Sequence, residues 1–88
     1  MLKLEKYTAT IIGVDVAEAF PSEYEDRKEI DCPFEAGSVN EAVIMALRWS
    51  KSKILDYNFK SASLTVYKER IGVVFHSDNI IALNLNKP

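Results

Sequence analysis

Histidine and cysteine occur only once each in this 88-residue sequence, as His76 and Cys32, and glycine and proline three times each. One His and one Cys so far apart in the chain supply no zinc ligand set, and a single thiol forms no internal disulfide. A lone Cys fits a reducing compartment, so a cytoplasmic location is expected. Cys32 alternates with Ile30 and Phe34, the pattern of a buried strand position rather than of a reactive thiol. Gly13, Gly37 and Gly72 stand apart, so no glycine-rich loop cradles a phosphate. The longest apolar run, Ala42–Leu47, is six residues, against the ~20 that span a bilayer. Lys3, Glu5 and Lys6 interrupt the N-terminus, and no signal-peptide apolar region follows. Neither membrane insertion nor secretion is therefore expected.

What is present suits one α+β domain over residues 1–88. Hydrophobic residues make up 48% and charged residues 27%, the balance of a globular chain. A chain this short buries about 60–65% of its unfolded surface, enough for one modest core and not for a cleft between domains. The net charge is −2, but it is unevenly spread. Residues 15–41 carry nine acids and two bases, whereas 48–70 carry six bases and two acids. Such asymmetry bears on partners and steering rather than on fold.

The segment Leu4–Val16 is rich in Thr, Ile, Val and Tyr and reads as a strand. Apolar residues on both of its faces predict a central strand, or a bulge near Gly13. Ala17–Asp26 reads as a loop. Lys28–Glu35 alternates, with Ile30, Cys32 and Phe34 on one side and Glu29, Asp31 and Glu35 on the other. Pro33 cannot donate to a ladder, which puts this strand at or near a sheet edge. The two strands pair as a hairpin with a long acidic tip. Ser38 and Glu41 form a capping box that starts a helix over Val39–Lys53. Its core stripe is Val39, Ala42, Val43, Ala46, Leu47, Ser50 and Ile54. Three strands are expected after it, at Ala62–Lys68, Ile71–His76 and Ile80–Leu85. The expected architecture is two-layered: about five antiparallel strands with one helix on one face, in the order ββαβββ.

No catalytic residue emerges. His76-Ser77-Asp78 has the residue types of a nucleophilic triad, but neighbours on one turn are not expected to form a relay. The carboxylates of 15–41 read as a solvated face, since acid–base work needs one of them desolvated. Three surfaces are candidates for binding. The loop acids Glu18, Glu23, Glu25 and Asp26 are suited to a partner with a basic surface; the plainer reading is solubility. On the helix, Ile44 lies away from the core stripe and Met45 and Trp49 flank it, with Arg48 adjacent, a contact-surface composition. The stretch around Lys51, Lys53, Tyr57, Lys60, Lys68 and Arg70 interleaves bases with aromatics, as single-stranded nucleic-acid binders do. Against nucleic acid stand a pI near 5.3 and the lack of a glycine-aromatic RNA-binding motif.

The order ββαβββ, the capped helix at Ser38–Lys53 and the missing catalytic motif resemble small phage or mobile-element proteins, including some anti-CRISPR proteins. The resemblance lies in the order of elements over most of the chain and extends to no residue signature. It implies a non-enzymatic, stoichiometric inhibitor without cofactors that occludes a basic channel of a nucleic-acid-handling complex. The basic stretch 48–70 departs from an acidic mimic of nucleic acid. A homodimer is a further expectation, with Tyr7, Ile11, Thr65 and Tyr67 on the sheet face away from the helix.

Overall fold

The computed structural model describes residues 3–14 and 27–81. Four strands and one helix follow in the order β1 (Glu5–Val14), β2 (Arg27–Ala36), α1 (Val39–Tyr57), β3 (Ser61–Lys68) and β4 (Gly72–Ser77). The sheet runs β2-β1-β3-β4, and every neighbouring pair is antiparallel. Strands β2 and β3 therefore run parallel to one another with β1 between them. Parallel strands need a long crossover, and α1 supplies it. The fold is α+β with an antiparallel sheet, as the sequence leads one to expect.

Of the expected fifth strand, 80–85, only Ile80 and Ile81 are described, and they take helical rather than extended backbone. The described residues thus hold four strands, and Ile80 packs into the core. The expected loop over Ala17–Asp26 lies outside the described residues.

The helix begins where the capping box places it. Ser38 Oγ accepts from the Glu41 backbone N–H at 3.1 Å. Glu41 Oε1 accepts from the Gly37 N–H at 2.6 Å, one residue earlier than the usual return bond to the cap itself. The end comes four residues later than expected. Asn58 takes left-handed backbone (φ 56) and donates its N–H to the Ile54 carbonyl, a helix stop that asparagine tolerates better than most side chains. Ser38→Ala is expected to lower stability by about 1 kcal/mol. A reduced denaturant midpoint at unchanged slope is the readout.

The helix buries Ala42, Ala46 and Ser50, so its axis lies close over the sheet. Ser50 Oγ donates to the Leu47 carbonyl at 2.8 Å, which satisfies the one buried polar side chain among the described residues. Beneath lie Tyr7, Ala9 and Ile11 of β1 and Ala62, Leu64 and Val66 of β3, all buried. Ile30 and Phe34 of β2 and Phe75 of β4 extend this layer toward both edges. This corrects the expectation for the far face: Tyr7 and Ile11 belong to the core under the helix. Thr65 and Tyr67 do lie on the opposite face, by alternation with Leu64 and Val66. Periodicity cannot tell a strand's two faces apart when both carry apolar residues.

No bulge occurs at Gly13, whose pairing with both neighbours is continuous. The glycine is explained by Phe59 instead. A Cβ built there would lie 2.6 Å from the Phe59 ring. The irregularity falls in β4, where Val66 pairs with Phe75 but Tyr67 with Val73. The turn into β4 uses positive φ at Arg70 (73) and Gly72 (109). Glycine suits the second of these because it has no Cβ to clash.

Each end of the sheet is closed by an aromatic pair and a lysine. At one end Phe59 stacks on Tyr57 (centroids 5.4 Å), with the Lys28 ammonium 5.2 Å from the Tyr57 centroid. At the other, Tyr7 stacks on Phe34 (5.7 Å) under the Lys68 ammonium, 6.0 Å from the Tyr7 centroid. Lys68 Nζ also meets Glu5 Oε1 at 2.6 Å. That hydrogen bond holds the Glu5 carboxyl below its ordinary pKa and the Lys68 ammonium above its own.

Candidate functional site

Among the described residues nothing covers the face of the sheet opposite α1. Strand alternation places there Lys6, Thr8, Thr10 and Ile12 of β1, Glu29, Asp31, Pro33 and Glu35 of β2, Ser63, Thr65 and Tyr67 of β3, and His76 of β4. These side chains form cross-strand rows. One row runs Asp31–Thr10–Thr65–His76 and another Pro33–Thr8–Tyr67–Val73. At the β2 edge three rows end in the exposed carboxylates of Glu29, Asp31 and Glu35, and one ends in Pro33. The middle is a floor of small hydroxyl side chains. Ile12, Tyr67 and Val73 stand exposed on it, and Ile71 in the turn beside it.

Hydrogen bonds order this face. Thr10 Oγ1 donates to Asp31 Oδ1 at 2.8 Å. Thr65 Oγ1 and His76 Nδ1 lie 2.9 Å apart, and His76 Nε2 lies 2.8 Å from Asp78 Oδ1. A hydroxyl–imidazole–carboxylate chain thus exists across two strands, apart from the expectation for this turn, which concerns Ser77. Its hydroxyl comes from Thr65 on the neighbouring strand rather than from Ser77. The signal for it is the alignment of β3 with β4, which pairs Thr65 with His76. Asp78 is 96% exposed and the His76 side chain 48% exposed, so water competes for both bonds. The chain fastens the β4 turn to the sheet.

A groove of about 550 Å³ opens at one end of this face. Pro33, Thr8 and Tyr67 of one row line it, together with Lys6, Glu35, Glu69 and, from the helix side, Tyr7 and Phe34. A smaller gap of about 110 Å³ lies on the helix side, lined by Ala9, Cys32, Phe34, Met45, Ala46 and Trp49. The Cys32 thiol is therefore half-buried among apolar groups, consistent with the strand pattern.

Among the described residues no group of three His, Cys, Asp or Glu side chains is placed to hold a metal ion. No described helix is long and apolar enough to cross a membrane. No protein-family model, curated protein or solved structure matches this chain.

The loop acids Glu18, Glu23, Glu25 and Asp26 lie outside the described residues. On α1, Ile44, Met45 and Arg48 are exposed, while Trp49 is half-buried against the core. Leu55, 78% exposed, was missed because the helix was expected to stop at Lys53. With it, Ile44, Arg48, Lys51 and Leu55 form one outward stripe at helical spacing. The basic stretch is not one surface. Lys51 and Lys53 lie on the helix, while Tyr57 and Lys60 lie at the Gly13 end of the sheet. Lys68 and Arg70 lie at the other end, about 23 Å away by strand rise, and Lys68 is held by Glu5.

Proposed function

We propose that this chain is a non-enzymatic protein-binding module whose uncovered sheet face docks on a basic surface. The observation that carries the reading is the row of Glu29, Asp31 and Glu35 along the edge of a sheet face that no described element covers. Like charges in a row steer a cationic partner, while the exposed Ile12, Tyr67 and Val73 offer area to desolvate. A basic surface with these requirements is what a nucleic-acid channel presents. Stoichiometric occlusion of such a channel, as in the anti-CRISPR proteins the element order resembles, is the most concrete form of the proposal. The scattering of Lys51, Lys60, Lys68 and Arg70 argues against direct binding of a nucleic-acid strand along the basic stretch.

The test is association kinetics with a partner recovered by affinity capture. Glu29→Lys with Glu35→Lys should slow association about tenfold at low salt and flatten its salt dependence. A polyanion such as heparin should compete with the wild-type chain. Unchanged kinetics in the double variant would overturn the reading, as would tight binding of single-stranded RNA or DNA by the isolated chain.

A further inference from the structure

We propose that the groove over Thr8 is a subsite for one arginine side chain of the partner, an inference that rests on the docking face just described. Pro33, Thr8 and Tyr67 are consecutive members of one cross-strand row. Strands two apart are separated by roughly 10 Å. The short Thr8 side chain between them leaves a slot with a proline wall and a tyrosine wall. Tyr67 is 42% exposed, which leaves much of its side chain accessible to a ligand.

The next row supplies charge. Glu35 pairs with Lys6 in the register, and the Glu69 N–H donates to the Lys6 carbonyl at 3.0 Å. Glu35 and Glu69 thus flank Lys6 on its two sides, and all three line the same groove. An anion is rejected there. A guanidinium fits both parts of the site. Its plane stacks on an aromatic ring with little loss of hydration, and its fork bonds a carboxylate through two N–H groups. A lysine ammonium is more strongly hydrated and lacks the plane, so it uses only the charge. Lys6 is the internal competitor, since its ammonium offsets one of the two carboxylates.

The experiment is an amide-shift NMR titration of the full chain with a blocked Gly-Arg-Gly peptide and its Gly-Lys-Gly counterpart. The arginine peptide should shift amides at Thr8, Glu35, Tyr67 and Glu69, with a millimolar Kd typical of one shallow subsite. The lysine peptide should bind about fivefold more weakly. Tyr67→Ala should weaken the arginine peptide about fivefold or more, Tyr67→Phe should retain it, and Lys6→Gln should tighten it about threefold. Asp56→Asn, on exposed α1 surface outside the groove, should leave it unchanged. Equal affinity for the two peptides, shifts elsewhere, or indifference to Tyr67→Ala would overturn the proposal. Partner binding that depends on Glu29 and ignores Tyr67 would sink the subsite and spare the docking face. Peptide binding in the groove without any basic partner would do the reverse.

Discussion

Leu64→Ala is expected to cost about 3 kcal/mol, within the range of 2–5 kcal/mol for buried leucines. Leu64 is fully buried, lies opposite Ile11 in the register and sits in the layer beneath α1. Truncation leaves a void in this close-packed layer. A domain of this size holds about 4–13 kcal/mol in all. The loss should lower Tm by about 12–24 °C. Thr65→Ala, one residue along and on the opposite face, removes the bond to His76 and should cost less than about 1 kcal/mol. The contrast between neighbours tests which face is the core. Equal costs would mean that the helix does not cover the face carrying Leu64. Thermal unfolding of both variants by circular dichroism reads the difference.

Gly13→Ala should lower stability by about 1–2 kcal/mol, although alanine in an open strand position normally gains up to about 1 kcal/mol over glycine. Three Phe59 ring atoms lie 2.6 Å from the site of the added methyl. The ring has little room to retreat, because it is buried and stacked on Tyr57. The backbone is fixed as well, since β1 pairs on both sides. Overpacking of this kind typically costs 1–3 kcal/mol. Phe59→Leu should recover part of the loss in the Gly13→Ala background, giving a non-additive cycle in urea denaturation. A neutral Gly13→Ala would show that Phe59 does not rest on β1.

The readings that the sequence supported best were those set by local chemistry. Ser38 and Glu41 fixed the helix start, because a cap is made by residues three apart. Pro33 placed β2 at an edge, because a missing donor is a property of one residue. Ala42, Ala46 and Ser50 announced a helix lying close on a sheet. Features set by distant contacts were not legible. Nothing near Gly13 in sequence points to Phe59, and nothing in β1 says which of its apolar faces meets α1. The late helix stop depended on Asn58 accepting left-handed backbone. The groove required Pro33, Thr8 and Tyr67 to share a row, a matter of register across three strands. The loop acids expected to form a binding surface lie outside the described residues, and the sheet face that no described element covers offers a different acidic row.

The edges of this sheet also bear on how the chain keeps from templating itself. Strand β2 is ten residues long, enough to recruit a strand from another molecule and seed a fibril. Pro33 breaks its line of donors, and Glu29, Asp31 and Glu35 would be stacked against their own kind in an in-register ribbon. At the opposite edge β4 is six residues long and lies against a register shift, which makes it a poor template. The carboxylates that make β2 attractive to a cationic surface thus also make it repellent to a second β2.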